Sequence, residues 1–131
     1  MTDRIILASN STIRQTLLRN AGVGFTAIAA RVDEQTVRDA LLAESAPPRD
    51  IADALAELKA LKLSNTHPEA LVIGCDQVLA HEGRLLSKPT SPQEALQQLT
   101  QMRGSAHHLI SAVVVCEAGK PLWRHIGVVK M

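Results

Sequence analysis

Two short apolar runs constrain the fold more than any other feature of this chain. Arg4-Ile-Ile-Leu-Ala8 and Ala70-Leu-Val-Ile-Gly-Cys75 are continuous rather than alternating. They are too short for core helices, so each reads as a strand buried on both faces, as in parallel sheets. Both stop abruptly at polar residues, Ser9-Asn10-Ser11 and Asp76-Gln77. Stretches of helical periodicity separate them. One runs from Ser11 to about Ala21, with Leu17, Leu18 and Ala21 on one face and Gly22 and Gly24 as the stop. Another spans roughly residues 34–44 and ends at Pro47-Pro48. A third is predicted from an Asp50 N-cap to about Ser64. Ile51, Leu55 and Leu58 form its stripe, Leu61 widens it, Lys59 lies toward the opposite edge and Lys62 near the stripe's centre.

Residues 25–30 read as a further strand, and Val78–His81 can continue the second apolar run to a turn at Glu82-Gly83. Ser91-Pro92-Gln93-Glu94 has an N-cap serine, a proline at the first helical position and a glutamate at the third, and starts a helix to about Met102. Leu109–Glu117, a turn at Ala118-Gly119 and Leu122–Val129 read as a hairpin. This alternation predicts one α/β domain over residues 1–131. In open α/β sheets ligands gather at the carboxyl ends of strands. Both polar clusters are expected at such ends.

Several functions are disfavoured by composition. Aromatics are 2% of the chain (Phe25, Trp123 and no tyrosine), so the core is aliphatic and base-stacking on single-stranded nucleic acid is not expected. The formal charge is +1 with acids and bases mixed, which offers no basic stripe for a duplex. No apolar stretch has the length of a membrane span, and the first residues lack a signal peptide's long apolar segment and small-residue cleavage site. Cys75 and Cys116 lie inside apolar runs and read as reduced small hydrophobes of a cytoplasmic protein. There is no CxxC or HExxH spacing, and the five histidines read as surface or packing residues.

The turn Ser9-Asn10-Ser11-Thr12-Ile13-Arg14 points to an anion. A helix N-terminus offers free N–H groups and a positive dipole end. Two hydroxyls and a guanidinium fork add donors suited to phosphate oxygens. The plainer alternatives stay open: Ser11 as a simple N-cap, Arg14 as a solvated side chain. Asp33-Glu34, Lys59, Asp76-Gln77 and Lys88-Pro89 could complete a site for a polyphosphate with a divalent metal, because magnesium typically takes one or two carboxylates plus substrate phosphates. Each also has an ordinary reading. Asp76 suits a turn, Lys59 a solvated helix edge, Lys88-Pro89 a loop, and Asp33-Glu34 a helix start with favourable charge.

In order and in register, these motifs resemble the Maf proteins. The resemblance rests on L-A-S-N-S-T-I-R-Q-T-L-L at 7–18, V-D-E at 32–34, A-L-A-E-L-K-A at 54–60, V-I-G-C-D-Q-V at 72–78, S-K-P at 87–89, E-A at 94–95, Leu99 and G-S-A-H at 104–107. It implies a mixed twisted sheet flanked by helices, related to the inosine-triphosphate pyrophosphatases. It implies cleavage of a nucleoside triphosphate to a monophosphate and pyrophosphate with Mg²⁺ or Mn²⁺. By the same resemblance, Asp76 is the catalytic acid that accepts the proton of the attacking water. Ser9, Arg14, Lys59 and Lys88 are substrate-binding by it, with Ser11 added from its place at the helix start, Glu34 and Asp76 hold the metal, and a homodimer is the implied assembly.

The chain departs from the family pattern at informative places. Ile13 and Gln15 flank a single arginine. Ile13 and Gln77 stand at positions that bear on base choice, and Asp76-Gln77 resembles the subgroup acting on 7-methyl-GTP. Ser87 replaces a usual glycine. The family's later A-G-x-Y/F and G-L-P motifs are not in the sequence, so a domain lacking the C-terminal part of the full fold is expected. That favours a second reading, a catalytically weak nucleotide-binding remnant; a regulatory protein related to septum formation is a third.

Overall fold

The computed structural model describes residues 4–82, 84–86 and 91–130. One mixed sheet organises them. Its strands are β1 (Arg4–Leu7), β2 (Thr26–Ala27), β3 (Ala70–His81), β4 (Arg84–Leu86), β5 (His107–Glu117) and β6 (Lys120–Lys130), and its helices are α1 (Thr12–Asn20), α2 (Glu34–Ala43), α3 (Pro48–Thr66) and α4 (Pro92–Met102). The order is β2-β1-β3-β5-β6, with β4 also on β3. β1 is parallel to β2 and β3, while β3, β5 and β6 form an antiparallel meander.

One register detail creates the site. β1 pairs with only the first four residues of β3, ending at Leu7 opposite Ile73. β4 pairs with Leu79–His81, while β5 occupies the other edge of β3 along almost its whole length. The edge of β3 from Gly74 to Val78 therefore faces a gap between β1 and β4. Asp76 and Gln77 lie inside this long strand and not at its end, a correction to the expected placement. They come level with the polar turn at Ser9 because β1 is short.

The α3 face of the sheet is the core. Ile6, Val72, Val78, Ile110, Ala112, Val114 and Cys116 pack there with Ala52, Ala56, Ala60 and Leu63. The buried face of α3 runs through Ile51, Ala52, Leu55, Ala56, Ala60, Leu63 and Ser64. The predicted stripe is thus rotated: Leu58 and Leu61 are half-buried, Lys62 is exposed, and Lys59 lies on the sheet side. Three alanines let the helix backbone approach closely. A Cβ on Gly74 would collide with the Ala56 carbonyl oxygen and lie 2.8 Å from Ala60 Cβ. The α3 start also differs from expectation. Pro47 is the N-cap residue without a side-chain cap, Pro48 follows, and Asp50 sits in the first turn.

Other elements follow the predicted pattern. Ser11, Asp33 and Ser91 cap α1, α2 and α4 through side-chain oxygens. The strand expected over 25–30 is only Thr26–Ala27. The hairpin turn places Ala118 and Gly119 at positive φ, and the Gly119 N–H donates to buried Ser64 Oγ at 2.8 Å, tying the turn to α3. Cys75 and Cys116 are free thiols on opposite sheet faces, since Cys116 belongs to the α3-side core and Cys75 alternates away from it. No described helix is long and apolar enough to cross a membrane.

Candidate functional site

A cleft of about 880 Å³ opens at the sheet gap, lined by the β1–α1 turn, the start of α2, Lys59 of α3 and Cys75–Gln77 of β3. The β1–α1 turn forms one wall. Ala8 N–H donates to Ile73 O at 2.8 Å and carries the β1 direction one residue further, so the chain enters the turn at a fixed angle. Ser9 Oγ accepts the Ser11 N–H at 3.0 Å, and Ser11 Oγ accepts the Arg14 N–H at 3.4 Å. The capping role weighed for Ser11 is therefore real. It does not exhaust either hydroxyl, because an oxygen that accepts a backbone N–H still has its own proton to donate. The N–H groups of Thr12 and Ile13, first in α1, have no carbonyl one turn back within the helix. Arg14 is half-buried and lines the cleft without a carboxylate partner among the described residues.

Asp33-Glu34 divides into two roles. Asp33 is exposed and caps α2, taking Thr36 N–H at 3.1 Å and Thr36 Oγ1 at 2.7 Å, and these bonds hold its carboxyl below the usual range. Glu34, the first helical residue, turns toward α3, where its Oε1 meets Lys59 Nζ at 2.5 Å.

Lys59 is the hub. Its side chain is 13% exposed, and Nζ contacts Glu34 Oε1 at 2.5 Å, Asp76 Oδ1 at 3.2 Å and the Cys75 carbonyl at 3.2 Å. An ammonium has three protons, so all three donors are engaged. The Cys75 carbonyl belongs to the gap-facing stretch of β3, and Lys59 caps it where a neighbouring strand would. The ordinary reading of Lys59 as a solvated helix edge does not hold, because the alanine-lined approach of α3 brings it inward.

Asp76 is 7% exposed, and its Oδ2 is buried with no hydrogen-bond partner among the described residues. Burial pushes its carboxyl above the usual 3.8, Lys59 opposes that through charge and hydrogen bonding, Glu34 adds to it, and Arg38 opposes it weakly. A buried carboxylate with a raised proton affinity and one free oxygen can take a proton from a neighbouring water. Gln77, exposed, donates from Nε2 to Ser111 Oγ at 3.0 Å across to β5, and Ile13, also in the cleft lining, is 75% exposed. Burial likewise raises the Cys75 thiol, which makes it a poor nucleophile.

The structure thus brings together Ser9, Ser11, Ile13, Arg14, Glu34, Lys59, Asp76 and Gln77. Lys88 and Ser87 lie outside the described residues. Sequence reasoning missed Arg38 and Ser111, both on the cleft wall. Arg38 was within reach of it, since it follows Glu34 by four residues and shares its helix face. Among the described residues no three metal-type side chains converge. The two carboxylates on Lys59, one with an orphaned buried oxygen, match what magnesium asks of a protein when phosphates and water supply the other ligands.

Comparisons with known proteins place this cleft in context. The chain is 62% identical over 131 residues to a Ruegeria pomeroyi protein named nucleoside triphosphate pyrophosphatase, covering 100% of this chain and 66% of that protein. It is 43% identical over 131 residues to a Brucella abortus protein named 7-methyl-GTP pyrophosphatase, with the same coverage. The chain spans just under two thirds of the length of these curated relatives. Among solved structures, a HAM1 protein from Coxiella burnetii superposes with TM-score 0.59 at 17% identity, covering 99% of this chain and 72% of that one, a likeness of fold. The family model described as Maf-like protein matches residues 4–131. That match takes in every strand and helix around the cleft, and the chain belongs to the Maf-like protein family.

Proposed function

We propose that this chain is a nucleoside triphosphate pyrophosphatase, hydrolysing a nucleoside triphosphate to the monophosphate and pyrophosphate. The observation that carries the reading is Asp76: a buried carboxylate with raised proton affinity and an Oδ2 unpartnered among the described residues, in a cleft also lined by Ser9, Ser11 and Arg14. The names of the Ruegeria and Brucella relatives point the same way.

In this mechanism Ser9, Ser11, Arg14 and the first N–H groups of α1 hold the phosphates. Asp76 orients a water against the α-phosphorus and takes its proton as the new P–O bond forms. The bond to the β-phosphate oxygen breaks, and pyrophosphate leaves with the charge. Lys59 keeps Asp76 and Glu34 in place and offsets charge beside the reacting phosphorus. Lys88 is assigned to the same phosphates from the family resemblance. Glu34 and Asp76 would hold a divalent ion, Mg²⁺ or Mn²⁺, which when bound neutralises phosphate charge and polarises the scissile group. Ile13 and Gln77, which both line the cleft, are assigned to base choice from the family resemblance. The Asp76-Gln77 pair and the Brucella relative make 7-methyl-GTP the modified nucleotide to test first.

The test is pyrophosphate release by the 131-residue chain with Mg²⁺ across standard nucleotides and 7-methyl-GTP. Release that disappears in Asp76→Asn, with the fold retained, is the expected result. A folded chain that releases nothing, or an Asp76→Asn variant with wild-type turnover, overturns the reading.

A further inference from the structure

A second guanidinium, from α2, lines the cleft together with the one on α1. Arg38 stands one turn beyond Glu34 on the same face of α2, and both line the cleft. It is half-buried. Its one hydrogen bond among the described residues runs to Gln35 Oε1 of its own helix, at 3.5 Å, the limit for such a bond. The nearby carboxylates do not claim it: Glu34 and Asp76 are both on Lys59. The Arg124 guanidinium, by contrast, is engaged by Asp53 and Glu57 at 2.6 and 2.5 Å. A half-buried arginine at a cleft wall, whose guanidinium meets no carboxylate among the described residues and bonds only weakly to Gln35, keeps donors for water or for a ligand.

We propose that Arg38 is a further substrate ligand, presenting its fork to the distal phosphates of the nucleotide and to product pyrophosphate. This rests on the pyrophosphatase reading and extends it. Two observations favour the distal end. The α-phosphorus must lie against Asp76, and Arg38 is a helical turn further along α2 than Glu34, which reaches the ammonium beside Asp76. Its charge also acts on Asp76 less strongly than that of Glu34, as expected for the more distant group. Arg14 on one wall and Arg38 on another would then grip the polyphosphate from two sides, with planar forks suited to bidentate contact.

The experiment is calorimetric titration of inorganic pyrophosphate, with steady-state kinetics on the best nucleotide, for wild type, Arg38→Ala, Arg38→Lys and the exposed α3 control Arg49→Ala. The expected result for Arg38→Ala is roughly ten- to hundredfold weaker pyrophosphate binding, the range of a lost charge-assisted contact. KM rises by a similar factor and kcat changes little, the pattern of lost uniform binding. Arg38→Lys recovers part of the loss by keeping charge without the fork, and covers the case in which the alanine variant does not fold. Arg49→Ala matches wild type, which excludes a bulk charge effect. Unchanged pyrophosphate affinity in both Arg38 variants overturns the proposal. So does a fall in kcat alone with a displaced acid limb of the pH profile, since Arg38 would then act only through Asp76. Wild-type protein that neither releases nor binds pyrophosphate overturns the pyrophosphatase reading along with it.

Discussion

Gly74→Ala should damage the core and the site through one contact. The new Cβ would overlap the Ala56 carbonyl oxygen and lie 2.8 Å from both the Cβ and N of Ala60. These are backbone and first side-chain atoms of a buried helix, not the free end of a long side chain, so α3 itself must move away from β3. Overpacking of this kind costs about 1–3 kcal/mol. Replacing a strand glycine returns about 0.5–1 kcal/mol through backbone entropy. The net loss is about 1–2 kcal/mol, a fall in Tm of roughly 4–8 °C for a domain of this size. The displacement reaches the chemistry because Lys59 precedes Ala60 and Asp76 follows Gly74 by two residues. The 3.2 Å contact from Lys59 to Asp76 lengthens beyond hydrogen-bonding range, and turnover falls at least tenfold. Calorimetric unfolding and pyrophosphate release on one preparation measure both effects. A variant with wild-type Tm and wild-type turnover would refute the argument that the glycine sets the helix–strand distance on which the site depends.

Further substitutions probe the charges. Lys59→Met leaves Glu34 and Asp76 without their shared cation and the Cys75 carbonyl bare; with Glu34 partly exposed, the expected loss is about 2–3 kcal/mol by thermal denaturation, and the acid limb of the pH–rate profile moves upward as Asp76 becomes harder to ionise. Asp76→Asn gives a pH-dependent stability difference. Because burial raises the folded carboxyl above 3.8, ionising it costs stability that begins to be lost near pH 4 and is fully lost once the pH passes the folded value. The Tm of the asparagine variant should therefore gain on wild type between about pH 4 and neutrality, and a flat difference would contradict the direction of the shift. Arg124→Ala unties β6 from α3 at Asp53 and Glu57; the partly exposed cluster is worth about 1 kcal/mol in Tm measurements, with pyrophosphate release unaffected because neither acid lines the cleft.

Local signals carried much of this fold. The strands near residues 4–8 and 70–75, the serine caps at Ser11 and Ser91, and the hairpin at Ala118-Gly119 all obey short-range rules of periodicity, capping and turn chemistry. What escaped was tertiary. The rotation of α3 by about one residue is invisible to a hydropathy count, which ranks Leu58 and Leu61 above Ala56 and Ala60. Close approach to Gly74 selects the small residues instead. For the same reason a solvated edge stayed open as the ordinary reading of Lys59, while the structure holds it 13% exposed between two carboxylates. Asp76 read as a strand-end residue because polarity interrupts an apolar run there. The strand continues through it, since β5 supplies a partner along nearly the whole of β3. The grouping of Ser9, Arg14, Glu34, Lys59 and Asp76 came from motif order, and register and helix placement supply its geometry.

The cleft separates two electrostatic tasks, and that division argues for a polyanionic ligand. On the α3 side, Lys59 spends its three protons on Glu34, Asp76 and the Cys75 carbonyl, so the acidic groups are held within the protein's own framework. Asp76 shares this one cation with Glu34, and burial keeps its proton affinity high, which preserves it as a base. On the α1 and α2 sides, Arg14 and Arg38 have no carboxylate partner among the described residues, and Ser9 and Ser11 accept backbone N–H groups while keeping their own protons to donate. A neutral ligand would leave these donors unpaired as water left the cleft, at a cost for each. The donors come from two separate helices, α1 and α2, that line one cleft. A chain of phosphates spanning from Asp76 toward Arg38 would satisfy both walls and set the phosphorus nearest Asp76 against its Oδ2, which has no partner among the described residues.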